Sequence, residues 1–274
     1  MKTITSTNRP TALWLGDLHL DRTSQSQRDM LFARISKIDS SCVVVSGDTS
    51  CSRDLHRHLR QLRSACAPRP VCFVTGNHDF HGSGIDEVEG GLASLCGLYE
   101  NLHYLDGKRI IPLGGGVGLI GHRGWADARA GYGHDTVIDS PDRHAIRDFQ
   151  GLTRDQALRK MTELGKESAA AIRKVLPLAL TRFRHVVIIT HVPPFPSAVA
   201  YDGRPCGRTH LPHFANLSAG MAILGIARAF PDRHITVLAG HTHTGHTAEI
   251  LPNLSIRVGQ ARTGRPGVFG LIRF

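Results

Sequence analysis

The chain has 274 residues, of which 41% are apolar and 20% are charged, with a formal net charge of +10. This composition suits one globular α/β domain spanning residues 1–274, and it excludes a coiled coil, a collagen-like chain and a largely disordered protein. No apolar run approaches the ~18 residues that a membrane span requires, and the first residues lack the apolar core of a secretory signal. We therefore expect a soluble protein without a targeting segment.

The positive charge comes mostly from arginine spread along the chain, without a block of like charges. It would favour phosphorylated substrates, whereas no motif of a nucleic-acid-reading module accompanies it, so a nucleic-acid partner is disfavoured. The six cysteines show neither paired spacing nor a CxxC motif. Free thiols of this kind fit a reducing cytoplasm.

Short β-branched runs bounded by Gly, Asp, Asn or Pro predict strands along the whole chain. In chain order these are Ala12–Gly16, Cys42–Ser46, Val71–Thr75, Arg109–Leu113, Val117–Gly121, Val186–Thr190, Ile235–Ala239, Thr247–Leu251, Leu254–Val258 and Val268–Phe274. Helical patterns cover Arg28–Ile38, Arg53–Ala65, Thr153–Phe183 with Pro177 ending or kinking it, and a segment from Ser218, its expected N-cap, to Phe230.

Strands and helices alternate in the first half of the chain, while the last forty or so residues are strands joined by short turns. This order predicts an α/β architecture with a parallel portion and an antiparallel portion. The Gly- and Pro-rich segment 193–213 is expected to form a long loop, and long loops in compact domains tend to be functional.

Five segments share one design, in which an apolar strand ends in a polar cluster. They read LWLGDLHLD, VVVSGDTS, CFVTGNHDF, VIITHVPPF and VLAGHTHTGH. Side chains placed just past the carboxyl ends of strands meet at one edge of a sheet, where open α/β sheets bind ligands. The clusters supply these candidate ligands: Asp17, His19, Asp48, Asn77, His191, His241 and His243.

Two Asp, one Asn and four His are too many ligands for one ion and suit two, with Asp48 shared between them. Nitrogen and oxygen ligands without thiolate favour Mn²⁺, Fe, Zn²⁺, Co or Ni over Ca²⁺, and they do not choose among these metals. Taken singly, each residue has an ordinary explanation as a turn former, a helix cap or a surface histidine. The repetition of the design at five strand ends argues against that explanation.

In this order the motifs D-x-H, G-D, G-N-H-D, T-H and G-H-T-H, which span residues 17–243, resemble those of the calcineurin-like metallophosphoesterase superfamily. The resemblance implies a four-layer α/β/β/α sandwich of two mixed sheets. It also implies that Asp17, His19 and His243 hold one metal and that Asn77, His191 and His241 hold the other, with Asp48 bridging them. His78 would then protonate the leaving oxygen or stabilise the phosphoryl charge, and Asp79 would orient His78.

The expected activity is hydrolysis of a phosphomonoester or phosphodiester by attack of a metal-bound hydroxide, because two divalent cations can activate water and clamp the reacting oxygens. The substrate would be a small phosphate ester. The alternative activities are those of a cyclic-nucleotide phosphodiesterase and of a Ser/Thr-type protein phosphatase. A non-enzymatic scaffold is least favoured because none of the ligands is degenerate. The natural substrate, the native metals and the oligomeric state stay open.

The roles of two loops also stay open. After the strand that ends at Gly121, His122, Arg123 or Trp125 would either reach the substrate or form a turn around a packed Trp, and the packed Trp is favoured. The same question concerns the 193–213 loop, with its candidates Tyr201, Arg204 and Arg208. His210 and His213 supply only two ligands, too few to predict a further metal site.

Overall fold

The structure is a computed structural model, and it describes residues 10–274. The strands are β1 (Thr11–Leu15), β2 (Cys42–Ser46), β3 (Val71–Val74), β4 (Leu102–Tyr104), β5 (Ile111–Gly114), β6 (Val117–Gly121), β7 (His185–Ile189), β8 (Ala200–Tyr201), β9 (Arg204–Pro205), β10 (His234–Ala239), β11 (His246–Leu251), β12 (Leu254–Val258) and β13 (Val268–Arg273). The helices are α1 (Gln25–Lys37), α2 (Ser52–Cys66), α3 (Ile85–Gly97), α4 (Asp142–Ala145), α5 (Arg154–Arg182), α6 (Leu211–Phe214) and α7 (Leu217–Ala229).

The strands form two large mixed sheets and one small hairpin. The first sheet has the order β13-β1-β2-β3-β4, and the second has the order β11-β12-β10-β7-β6-β5. Strands β1 to β4 are parallel to one another, as are β6, β7, β10 and β12. The antiparallel pairs β1–β13, β5–β6 and β11–β12 flank these parallel portions, so the predicted mixture of parallel and antiparallel strands is confirmed.

Alternation along the strands builds the layers, because successive side chains point to opposite faces of a sheet. On β1, Leu13 and Leu15 pack with residues of α1, α2 and α3, whereas Ala12 and Trp14 pack against residues of the second sheet. The other face of the second sheet packs against α5 and α7. The order helices, sheet, sheet, helices is the four-layer α/β/β/α sandwich expected from the sequence.

Helix α5 shows where packing overrides local preference. Pro177 lies inside the helix, which continues to Arg182, so of the two outcomes expected at this proline, an end or a kink of the helix, the end is wrong. An interior proline costs roughly 3 kcal/mol. The last part of the helix nevertheless buries a row of apolar side chains, Ile172, Val175, Leu176 and Leu180 among them, and burying each contributes about 1.5–3 kcal/mol.

Further details differ from the sequence-based expectations. The segment 193–213, expected to form a long loop, contains the β8–β9 hairpin and the start of α6. Helix α3 was not predicted, because its pair Gly90–Gly91 lowers helix propensity, yet the helix buries Val88, Leu92 and Leu95. The expected cap of α7 was wrong: the carbonyl oxygen of the Asn216 side chain accepts from the amide of Ala219, so Asn216 is the N-cap. Ser218 instead donates its amide and its hydroxyl to Asp127.

The carboxyl ends of the parallel strands of both sheets come together at one edge of the sandwich. Gly47 follows β2 and accepts the amide of Asp17, which follows β1, so the two loops are joined directly. From the second sheet, the amide of Gly240, which follows β10, donates to the carbonyl of His191, which follows β7. The candidate ligands therefore converge on this edge. Within residues 10–274, no helix combines the length and the apolar character needed to cross a bilayer.

Candidate metal centre

Four of the predicted ligands form one compact group. The ligand atoms of Asp17, His19, Asp48 and His243 all lie within 4.8 Å of one another. Nε2 of His19 is 3.1 Å from Nε2 of His243 and 3.7 Å from Oδ2 of Asp48, while Nε2 of His243 is 3.5 Å from Oδ1 of Asp17. We call these residues the first ligand group. Three of them are buried and His243 is half-buried, so the group is largely shielded from water.

The remaining predicted ligands gather around His191 and form a second ligand group with Asp48. Nε2 of His191 lies 3.1 Å from Oδ1 of Asn77, 3.2 Å from Nδ1 of His241 and 3.4 Å from Oδ1 of Asp48. This group is looser than the first, since its members are linked through His191. One oxygen of Asp48 faces each group, so its carboxylate spans the two.

Hydrogen bonds outside the second group fix which ring nitrogens carry protons. Nδ1 of His191 lies 2.9 Å from the carbonyl oxygen of Ser46, and Nε2 of His241 lies 2.9 Å from the carbonyl oxygen of His213. A carbonyl oxygen only accepts, so those nitrogens carry the hydrogens. In the neutral rings, Nε2 of His191 and Nδ1 of His241 are therefore left as lone pairs that point at each other.

The amide of Asn77 is oriented in the same way. Its nitrogen donates to Oδ1 of Asp142 at 3.0 Å, which turns its oxygen toward His191. Nε2 of His191 thus faces three acceptor atoms with no hydrogen between them, an arrangement that needs a positive charge in the middle. In the chain alone a proton supplies it: burial lowers the pKa of His191, but the Asp48 carboxylate, together with Asp17 and the Ser46 carbonyl, raises the pKa to about 10. A divalent cation fits the same place and competes with that proton.

The backbone at these residues is strained. Asp17, His19, Asp48, His241 and His243 all have positive φ angles, between 41° and 75°. Residues other than glycine rarely adopt this conformation, and such strain persists only where the surroundings enforce it, typically at functional sites. Five of the seven predicted ligands therefore have a second feature that is typical of functional sites, a strained backbone, which does not depend on the chemistry of their side chains.

Two glycines let the loops approach so closely. Gly47 has a φ of 89°, and a Cβ added there would lie 2.6 Å from Nδ1 of His191. At Gly76, a Cβ would overlap the carboxylate of Asp48. Side chains at either position would force the two sheets' loops apart, so the convergence of the ligand groups depends on these glycines.

Burial and neighbouring charges set the protonation of the remaining groups. Burial raises the pKa of Asp48, but the surrounding histidines, His191 foremost, hold it well below its usual range, so Asp48 is ionised. Burial lowers the pKa of His19, and burial together with His191 lowers the pKa of His241 to about 4. Both rings are therefore neutral, which is the form that ligates metals.

His78 lies beside the first ligand group. Its backbone amide donates to Oδ1 of Asp48 at 2.9 Å, and its ring centroid is 4.7 Å from that of His19. Burial lowers the pKa of the His78 ring to about 4. The guanidinium of Arg22 lies 3.3 Å from Nδ1 of His78, and a guanidinium only donates. Nδ1 is therefore the acceptor, and Nε2 carries the hydrogen.

Asp79 has other partners than the one expected from the resemblance. Its two carboxylate oxygens accept the backbone amides of Ser50 and Gly76 at 2.9 and 2.8 Å, and no hydrogen bond joins them to the described ring of His78. Burial and then Asp48 raise the pKa of Asp79 to about 8. Asp79 thus ties together the loops after β2 and β3, which carry Asp48 and Asn77, instead of orienting the imidazole.

Three residues of the site were missed in the sequence. Asp142 accepts from Asn77 and, at 2.8 Å, pairs with Nε2 of His81, whose ring lies 4.2 Å from that of His78 between centroids. Arg22 was not singled out, although its position three residues after His19 was a usable signal. Asp142 gave no such signal, because it begins the short helix α4, in the long connection between β6 and α5 that is distant in sequence from every motif.

A cavity of about 670 Å³ opens onto both ligand groups. The two loops left open by the sequence supply much of its wall, including Trp125 and Tyr201. Trp125 is also packed as expected, stacked on Phe149 with centroids 5.8 Å apart. Arg123 does not reach the cavity: it is buried and pairs with Glu89 and Glu167.

His122 is buried at the end of β6, and Arg208 lies over the ring of Tyr132. Neither residue lines the cavity, and the same holds for the exposed Arg204. His210 stacks on Tyr201. Neither His210 nor His213 belongs to the compact group of Asp17, His19, Asp48 and His243.

Comparison with known proteins agrees with this architecture. The sequence profile of the calcineurin-like phosphoesterase family matches residues 10–245, so the chain belongs to that family. Among solved structures, the fold is similar to that of a dimetal phosphatase from Danio rerio, with a TM-score of 0.61 and 13% identity over 97% of this chain and 93% of that one. It is also similar to a protein of Thermus thermophilus, with a TM-score of 0.56 and 12% identity over 92% and 90% of the two chains. A search of curated proteins found no match.

Proposed function

We propose that the protein hydrolyses a phosphomonoester or phosphodiester of a small molecule with the help of two divalent cations. The observation that carries this proposal is the convergence of seven side chains at one edge, among which acceptor atoms of Asn77, His241 and Asp48 surround Nε2 of His191. Membership of the phosphoesterase family supports the type of reaction. The lining of the cavity and the charges around it support the roles given below.

In this proposal Asp17, His19 and His243 hold one cation, Asn77, His191 and His241 hold the other, and Asp48 contacts both. Divalent cations at such a site polarise phosphoryl oxygens and lower the pKa of bound water. A carboxylate suits the shared position because its two oxygens face the two ligand groups and its charge offsets part of the repulsion between the cations. The set contains no thiolate, so we expect Mn²⁺, Fe, Zn²⁺, Co or Ni.

His78 would act as a hydrogen-bond donor to the phosphoryl group or to the leaving oxygen. Because Arg22 approaches its Nδ1, the ring presents Nε2–H, and the same guanidinium adds a positive charge at the mouth of the cavity. Charge-assisted hydrogen bonds to phosphate are stronger than neutral ones. Asp79 would act as a positioning residue through the amides of Ser50 and Gly76.

The shape of the site favours a small molecule over a protein substrate. The ligand groups line a cavity whose walls come from several loops, and its volume of about 670 Å³ is typical of small-molecule sites. A protein phosphatase needs a shallow site that admits a peptide chain. The size of the cavity therefore supports a small phosphate ester as the substrate.

The test is to assay p-nitrophenyl phosphate and bis-p-nitrophenyl phosphate with Mn²⁺-loaded protein, together with an acyl ester. Asp48→Asn and His191→Ala should nearly abolish phosphate-ester hydrolysis, whereas the exposed controls Asp29→Asn and His246→Ala should retain it. His78→Ala should keep its metals and lose rate. Release of p-nitrophenol from neither phosphate ester with any of the transition metals would favour a non-enzymatic scaffold, and hydrolysis of the acyl ester alone would indicate another class of hydrolase.

A further inference from the structure

The lining of the cavity contains two groups of side chains of opposite character. The first, which we call the charged end, comprises the ligand groups with His78 and Arg22. The second consists of apolar and aromatic side chains from separate elements, which we call the apolar wall: Trp125, Ile138, Met161, Tyr201 and Phe214. This space far exceeds what a phosphoryl group needs, so the site is built to hold the rest of the ester as well.

Charge is distributed just as unevenly. Among the described residues that line the cavity, Arg22 is the one Lys or Arg, and it lies beside His78. The carboxylate of Asp142 is already engaged by Asn77 and His81. The apolar wall therefore offers no Lys or Arg to a second phosphate, sulfate or carboxylate. His210 and His213 also line the cavity and can donate hydrogen bonds, but they supply no permanent charge to offset the desolvation of such a group.

The apolar wall is continuous with the second ligand group. The ring of Phe214 lies 5.1 Å from that of His241 and 5.2 Å from that of Tyr201, measured between centroids. Tyr201 is 46% exposed, so part of its ring remains available to a ligand. Aromatic rings arranged in this way favour the stacked or edge-on approach of another ring. If the phosphoryl group of an ester lies at the ligand groups, the alcohol portion of that ester would contact these rings directly.

We propose that the substrate is a phosphate ester with one phosphoryl group, whose alcohol portion carries a hydrophobic ring that sits against the apolar wall. This inference rests on the proposed function, because it assigns the remainder of the substrate for that same site. The hydrophobic ring would gain burial and aromatic contact, and the single phosphoryl group would match the single charged end. Small polar esters would use the charged end alone.

The experiment compares 2-phenylethyl phosphate with ethyl phosphate and glycerol phosphate, as monoesters or as their methyl diesters if the protein acts on diesters. The three alcohols have similar basicity as leaving groups, so differences in kcat/KM between the esters report recognition of the alcohol portion. We expect kcat/KM for the phenylethyl ester to exceed that for the ethyl ester by about tenfold or more, as apolar pockets discriminate by about 10–200-fold.

Matched variants locate the preference. Tyr201→Ala and Ile138→Ser should reduce the phenylethyl preference, which is the ratio of kcat/KM for phenylethyl phosphate to that for ethyl phosphate, by about tenfold. The controls are Tyr132→Ala and Val137→Ser, since Tyr132 is 49% and Val137 74% exposed and neither lines the cavity. All four residues lie in surface loops or short strands, so melting temperatures should stay close to that of the unaltered protein.

The outcomes separate the two proposals. Hydrolysis of none of the esters with any metal would contradict the proposed function itself. Hydrolysis without preference for the ring-bearing ester, or with a preference for glycerol phosphate, would overturn the present inference and leave the activity standing. A phenylethyl preference that survives both Tyr201→Ala and Ile138→Ser would also overturn it, because the ring would then bind elsewhere.

Discussion

Replacing Asp142 by alanine would remove the carboxylate that holds the amide of Asn77 and the ring of His81. Asp142 contacts neither ligand group through a ligand atom, and its two hydrogen bonds, of 3.0 and 2.8 Å, are its link to the site. In the unaltered protein, flipping the Asn77 amide would set its oxygen against the carboxylate and its NH₂ against His191. Asp142 thus keeps an oxygen, and not an NH₂, facing the second ligand group.

The size of the effect follows from the bond that is lost. A hydrogen bond to a charged group contributes about 1.5–3 kcal/mol. Since about 1.4 kcal/mol corresponds to a factor of ten, the cation at the second ligand group should bind about 10–100-fold more weakly. The same range is typical when a residue that orients a metal ligand is removed. Asp142→Asn keeps an acceptor of the same shape without the charge, so its loss should be smaller.

The assay is a calorimetric titration of metal-free protein with Mn²⁺, followed by a measurement of bound metal at limiting concentration. Binding at the first ligand group should be unchanged and binding at the second should weaken. The matched control is Asp139→Ala, which removes a carboxylate of the same loop that pairs with Arg143 and is 41% exposed. If Asp142→Ala bound both cations as tightly as the unaltered protein while remaining folded, the result would falsify the positioning role.

Three further predictions follow from single contacts. Arg22→Gln should lower kcat/KM for a phosphate ester about tenfold, mainly through KM, because a charge-assisted contact is lost, and the exposed control Arg34→Gln should not. Burial lowers the pKa of His122 to about 3, so its contribution to stability is complete above pH 6.5 and lost as the pH falls toward 3. The stability difference between the unaltered protein and His122→Gln, measured by denaturant unfolding, should therefore fall by about 2 kcal/mol between pH 7.5 and 5, and the same value at both pH would refute it. Asn216→Ala should cost about 1–2 kcal/mol of unfolding free energy through loss of the α7 cap, and an unchanged denaturation midpoint would contradict that role.

Local patterns were sufficient for most strands and for the candidate ligands. Buried parallel strands appear in the sequence as short runs of β-branched residues. The polar residues of the loop after each strand follow the run directly. The ligand at a strand end is thus encoded within a few residues of the strand itself, as with Asp48 after β2 or His191 after β7. A shared edge for these ends follows from parallel pairing, so their convergence was also predictable.

Features that depend on packing between segments distant in sequence were harder to predict from the sequence. Helix α3 carries adjacent glycines and α5 carries Pro177, and in both cases buried side chains outweigh an unfavourable local preference. The partner of Asp79 was mistaken for a similar reason. The resemblance placed its carboxylate against its neighbour in sequence, whereas the turn after β3 directs it to backbone amides of two loops.

By itself, the sequence determined the family, the sandwich of two mixed sheets and the identity of the side chains gathered at the strand ends. The tertiary structure alone decided which ring nitrogens of His78, His191 and His241 carry hydrogens, that Asp142 and Arg22 lie beside the ligand groups, and that an apolar wall lines the same cavity. The physical reason is the separation along the sequence between the residues that determine each feature. Strand and ligand are linked by a few covalent bonds, whereas the carbonyl that fixes a tautomer, or the loop that closes a cavity, is brought there only when the whole chain has packed.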